Sequence, residues 1–195
     1  MATYDISTRV CVLSVAYGLR NMGAISRGEQ GVTRLLDDFK LSYRSDRRYM
    51  TETYFARTED ELDDFETAVA KLHSADFKVD RNVDAFVDNR AARRIIKAGM
   101  KPRPHGWSRI RLVEDYVQGK ALGYPKCCVN AYLDWNYKMP DEDNEYVPWH
   151  SCNDDCKASA RFAKRMEKVL GAVGVIKSRP INSVNELMKS SAKLS

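Results

Sequence analysis

Four of the chain's five cysteines and one of its three histidines lie between Cys127 and Cys156. In order they are the vicinal pair Cys127-Cys128, a gap of 21 residues, then His150, Cys152 and Cys156, or CC-x21-H-x-C-x3-C. Soft ligands this concentrated restrict the C-terminal half to folds that return the later thiols to the earlier pair. One thiophilic metal ion, or one iron–sulfur cluster, could then take them all. The long intervening loop is no obstacle, because closure entropy grows only as the logarithm of loop length.

Both cysteine pairs are expected at helix N-termini, where free N–H groups and the helix dipole favour thiolates. Pro125 suits a helix start just before Cys127 and Cys128. Cys152 and Cys156 run directly into a basic helix expected over about 156–170. The metal stays open at this level. Cys152-x3-Cys156 suits structural zinc, with His150 as a further ligand. The adjacent pair suits a single ion poorly, since neighbouring side chains on a helix diverge by ~100°. It fits better with an iron–sulfur cluster, in which each thiolate can bind a different iron. Thiol chemistry or a cysteine-lined core without metal is the third reading.

The other cysteine and histidines read more plainly. Cys11 lies in an apolar stripe and is expected to be a small core residue. His73 falls near a helix C-terminus, where an imidazole is at home without further function. His105 sits in the breaker cluster Pro102, Pro104, Gly106. An odd cysteine count fits badly with a disulfide framework, and a reducing, cytoplasmic setting is expected. No apolar run approaches the ~20 residues that span a bilayer. No membrane association is therefore expected.

Charge is uneven. The net value is +5, yet residues 58–66 carry six acids: Glu59, Asp60, Glu61, Asp63, Asp64 and Glu66. Thr58 and Glu61 have capping-box spacing, so the acids read as a helix start over about 59–74 rather than a metal site. Residues 157–195 carry nine Lys/Arg against two acids. Arg161, Lys164, Arg165 and Lys168 recur at helical spacing and form a candidate polyanion-binding face, which solvation alone would also explain. Nucleic acid is one candidate partner, and another protein is the other.

Periodicity gives an α+β fold. A helix is expected over about 7–22, capped by Ser7 or Thr8, and a second over 31–39, with Gly23 in the loop between them. An antiparallel hairpin follows, from Leu41–Tyr43 and Tyr49–Phe55. Phe77, Val79, Val83, Phe86 and Val87 suggest one or two further short strands. Later helices are expected over 90–99, capped by Asn89, from Ser108 to near Gly119, and weakly over 183–193. The expected organisation is an α+β module at 1–100 with a small antiparallel sheet, and a mostly helical Cys/His metal-binding module at 107–195.

The blocks Leu122-Gly-Tyr-Pro-x-Cys-Cys-Val and His150-x-Cys152-x3-Cys156-x2-Ser159, with the aromatic Tyr132 between them, resemble domain-of-unknown-function family 483, a largely archaeal prokaryotic family. The resemblance covers about residues 109–165, and Ser151 stands where it leads one to expect a proline. It implies no activity. It implies one site made by Gly123, Tyr124, Pro125, Cys127, Cys128, His150, Cys152, Cys156 and Ser159.

Two function classes follow. The first is a metal-binding protein, with zinc or an iron–sulfur cluster, whose basic helices contact nucleic acid. The second is a metal- or thiol-dependent enzyme of sulfur transfer, electron transfer or hydrolysis, with His150 as acid/base and Tyr124 or Ser159 as hydrogen-bonding partner. Against the enzyme, the chain has no phosphate-binding glycine loop, no HExxH and no deaminase signature.

Overall fold

The computed structural model describes residues 6–26, 31–45, 52–98, 108–134 and 146–173. These form two compact units with interleaved segments: Met1–Leu62, Asp143–Pro148 and Lys157–Ser195 in one, Asp63–Glu142 and Trp149–Cys156 in the other. The fold is α+β, with a small antiparallel sheet in the N-terminal part and helices thereafter.

In the first unit, α1 (Ile6–Ala16) is buried from Val10 through Val15 without a break. A helix apolar on every side belongs inside a core rather than on its surface. It ends earlier than its apolar stripe suggests because Gly18 takes a left-handed φ of +67° and turns the chain. The helix start at Ile6 places Ser7 and Thr8 inside the first turn rather than at the cap. Arg20, 4 % exposed, folds back onto the helix end. Its Nε donates to Ser14 Oγ at 2.8 Å, and its Nη2 reaches the Cys11 carbonyl and Sγ at 3.3 and 3.0 Å. A buried cation there compensates the negative end of the helix dipole.

Strand β1 (Met22–Ser26) occupies the stretch expected as loop around Gly23. It pairs antiparallel with β3 (Glu52–Ala56), which also pairs with β2 (Ser42–Ser45), giving the order β1-β3-β2. Glycine weakens a strand, but here it makes room. Gly23 lies opposite Phe55, and a Cβ on Gly23 would stand 2.2 Å from the Phe55 ring. Phe55 is fully buried and joins Val12, Val15, Leu36 from α2 (Val32–Asp38) and Leu41 in one core. Cys11 belongs to that core, as its place in the apolar stripe suggests. α8 (Lys157–Ala172) completes the unit, with Phe162, Ala163, Met166 and Leu170 buried along one side.

The second unit is helical. α3 (Glu59–Leu72) has its first turn in the first unit and the rest in the second, and begins with the expected capping box: Glu61 N–H donates to Thr58 Oγ1 and Thr58 N–H to Glu61 Oε2. Residues 79–86 form a helix, α4 (Val79–Phe86), not the expected strands. Asn82 Oδ1 accepts the Lys78 N–H at its start, and Asp80, Asp84 and Asp88 follow every four residues. These acids meet Arg109, then Arg93 and Lys97, then Lys120. Such a ladder of cross-links favours a helix, whose period it matches. α5 (Arg90–Ala98) is capped by Asn89, whose Oδ1 accepts from Ala91 and Ala92 N–H. α6 (Arg109–Ala121) starts at Ser108, whose side chain accepts from Arg111 N–H. It passes through Gly119 rather than stopping there. The core joins Leu72, Val83, Val87, Ile96, Leu112, Val113 and Tyr116 to Val129 and Leu133 of α7 (Lys126–Leu133).

No helix among the described residues is long and apolar enough to cross a membrane. The breaker cluster with His105 and the helix expected at 183–193 lie outside the described residues.

Candidate metal centre

The site is built on the turn from α6 to α7. Gly119 is buried where the two helices meet, and a Cβ there would stand 3.0 Å from Val129 Cγ2. Leu122 then caps α6, and Gly123 follows with φ +72°. Tyr124 N–H donates to Gly119 O at 2.9 Å and Gly123 N–H to Lys120 O at 3.0 Å, the paired bonds of a Schellman motif. Only glycine takes that left-handed conformation without strain. Pro125 comes next as the N-cap of α7, so Cys127 and Cys128 occupy its first turn, as the sequence suggests.

The return segment, 146–156, has no regular helix or strand. Trp149 sets its position by packing on Tyr124, with ring centroids 5.6 Å apart and planes tilted by 42°. Past His150 the chain makes a tight turn, in which Cys156 N–H donates to Asn153 O at 3.3 Å. That turn presents Cys152 and Cys156 together.

The sulfurs of Cys127, Cys128, Cys152 and Cys156 all lie within 4.8 Å of one another. Three separations are tighter: 3.9 Å for Cys127–Cys128, 3.8 Å for Cys127–Cys156 and 3.7 Å for Cys128–Cys156. A tetrahedral ion bonded to four thiolates at ~2.3 Å holds its ligand sulfurs ~3.8 Å apart. The four thiols therefore stand within the reach of one ion. The expected divergence of the vicinal pair does not occur. Adjacent Cα–Cβ bonds on a helix do point apart, but each Sγ lies one rotatable bond further out and can swing to its neighbour.

Burial decreases across the group. Cys128 and Cys156 are each 6 % exposed, Cys152 is intermediate and Cys127 is exposed. Burial pushes the Cys128 thiol well above the ordinary cysteine range, and Cys156 and Cys127 beside it add to the shift; a hydrogen bond from the Cys152 backbone opposes it. Burial likewise raises Cys152, to about 11, with Cys156 and Cys127 contributing. Cys128 and Cys152 therefore hold their protons at neutral pH, so a metal that binds them must displace protons. Donors are at hand for the resulting thiolates: the first-turn N–H groups of α7 and Asn153 Nδ2, 3.7 Å from Cys152 Sγ.

Other residues of the expected site fall elsewhere. His150 is exposed and is not among the converging ligands. Gly123, Tyr124 and Pro125 shape the turn that leads into α7. Ser159 is buried in the first turns of α8, in the other unit. Arg161, Lys164, Arg165 and Lys168 are exposed along the same helix.

One cluster near the α6 start escaped the sequence reading. Glu114 and Asp115 are buried, 4 % and 7 % exposed, and Arg111 reaches both, at 3.5 and 3.0 Å. His73 Nε2 lies 3.2 Å from Glu114 Oε1. The i, i+3 and i, i+4 offsets from Arg111 were the available signal. The His73–Glu114 contact ties the end of α3 to α6.

Comparisons with protein-family models, curated proteins and solved structures returned no match.

Proposed function

We infer that the four cysteines hold one structural zinc ion, and that the chain is a metal-stabilised binding module. The observation that supports this reading is the set of three sulfur–sulfur separations at 3.7–3.9 Å, each near the edge of a zinc tetrathiolate. Thiolates bound to different irons of a cluster are held further apart, because irons and bridging sulfides lie between them. Four protein ligands fill a tetrahedral ion, so no position is left for substrate or water, as catalytic zinc requires. The ion's role is then to fasten the irregular 146–156 segment to α7, which the Tyr124–Trp149 contact does only in part. The polar helices around this framework would present charge to a partner, with nucleic acid the better match to the chain's net +5.

Anaerobic purification, elemental analysis and an absorption spectrum test the metal. One zinc per chain in colourless protein, with a melting temperature that falls on chelation, is the expected result. Visible thiolate-to-iron absorption with stoichiometric iron would overturn it, as would metal-free protein indifferent to chelator.

A further inference from the structure

Several cations of the second unit are engaged in ion pairs. Asp80, Asp84 and Asp88 of the α4 ladder neutralise Arg109, Arg93, Lys97 and Lys120. α8, in the other unit, is different. Lys157, Arg161, Lys164, Arg165 and Lys168 are all exposed, and none has an ion pair among the described residues. At ~100° per residue the five project from one arc about 100° wide, and at ~1.5 Å rise they span about 16 Å of helix. The buried residues Phe162, Met166 and Leu170 lie on the opposite side. The helix's single acid, Glu167, falls about 60° beyond the edge of the arc. Asp154 and Asp155 precede the helix in sequence.

We propose that this face of α8 binds the phosphate backbone of double-stranded nucleic acid, without reading sequence. A duplex carries one negative charge per ~1.7 Å of its axis, so a 16 Å row of cations lies against several phosphates at once. A membrane surface fits poorly: an interfacial helix must bury its apolar side in lipid, and that side of α8 is already in the protein core. A single strand fits poorly as well. Sequence-tolerant binding of unpaired bases uses exposed aromatic rings, and the aromatic residue of α8, Phe162, is buried. The row has no neighbouring amide side chains to pair with adenine, and phosphates are the contact that every sequence offers it. This inference does not rest on the zinc reading, because α8 and the four cysteines belong to different units.

The test is fluorescence anisotropy of a short random-sequence DNA duplex with the full-length protein as purified, titrated between ~50 and ~200 mM salt. Four to five phosphate contacts give log K against log salt a slope of about −4. The combined variant Arg161→Gln, Lys164→Gln, Arg165→Gln, Lys168→Gln should bind at least tenfold more weakly at the lower salt, with a slope near −1. Its melting temperature should stay unchanged, since all four side chains are exposed. A charge-matched control with Arg34, Lys71, Arg81 and Arg94 changed to Gln should keep the wild-type slope. Equal losses in variant and control would overturn the assignment to α8. Tighter binding to a single strand than to duplex would overturn the duplex. Binding to a polyglutamate peptide but not to duplex would move the face to an acidic protein and overturn the proposal.

Discussion

The ring of Tyr124, one residue past the left-handed Gly123, packs at 5.6 Å on the indole of Trp149, one residue before His150. Tyr124 belongs to the turn that launches Cys127 and Cys128, and Trp149 leads into Cys152 and Cys156. This stacking contact thus brings the two ligand-bearing segments together without metal. A pair of this kind contributes about 1 kcal/mol beyond its area. Trp149→Ala should lower the melting temperature of the apo protein and weaken zinc binding by roughly tenfold, as read by competition with a chromophoric chelator. Unchanged affinity would remove the pair from the site's framework.

The cysteines should not be equivalent. Cys128→Ser or Cys156→Ser leaves a buried hydroxyl where a thiolate ligand stood, and metal binding is linked to folding. Each should lose zinc and roughly 3 kcal/mol or more, about 10 °C for a chain of this length. Cys127→Ser, at an exposed position where water can enter, should retain weakened binding. Cys11→Ala should keep full zinc stoichiometry, because Cys11 packs in the core of the other unit. Elemental analysis with thermal melts separates the four variants.

Gly123→Ala tests the turn. A left-handed φ costs an alanine roughly 1–2 kcal/mol, and relaxing it would break the paired bonds to Gly119 O and Lys120 O. Circular dichroism should report most of the helix retained while zinc affinity falls. An affinity equal to wild type would mean that α7 is aimed by its core contacts alone.

The α4 ladder predicts an acid limit. A hydrogen bond from Arg109 holds Asp80 below the usual carboxylate range, one from Lys97 does so for Asp84, and one from Tyr116 for Asp88. Folded values below the unfolded one, near 3.8, mean that the stabilisation is present above that pH. It is lost as pH falls through the lowered folded values. Melting temperature should therefore decline from about pH 4 downward. The triple variant Asp80→Asn, Asp84→Asn, Asp88→Asn should flatten that decline while starting from a lower plateau. Because the carboxylates are solvent-exposed, high salt should shrink the difference.

Much of the architecture was legible in local chemistry. Thr58 with Glu61, Asn89 and Ser108 each marked a helix start with a side chain able to take orphan N–H groups, and each does. What failed was inference from residue type where distant partners decide. Val79, Val83, Phe86 and Val87 are β-formers by composition, yet their spacing is helical and the acids between them find cations on two other helices. Gly23 looked like a loop because nothing nearby reveals the Phe55 ring that fills its missing side chain from across the sheet. The cysteine cluster shows the same division. The thiols announced themselves, whereas the exclusion of His150 from their circle depends on how the 146–156 segment turns.

The separation of the two ligand pairs along the chain also has a consequence during biosynthesis. Cys127 and Cys128 leave the ribosome 28 residues ahead of Cys156, about 1–6 s at ordinary elongation rates. Until Cys152 follows, 24 residues behind Cys128, the vicinal pair has neither later thiol to share an ion with, and an oxidant or stray copper can reach it. The four thiols can gather only once Cys156 has followed, 28 residues behind Cys128.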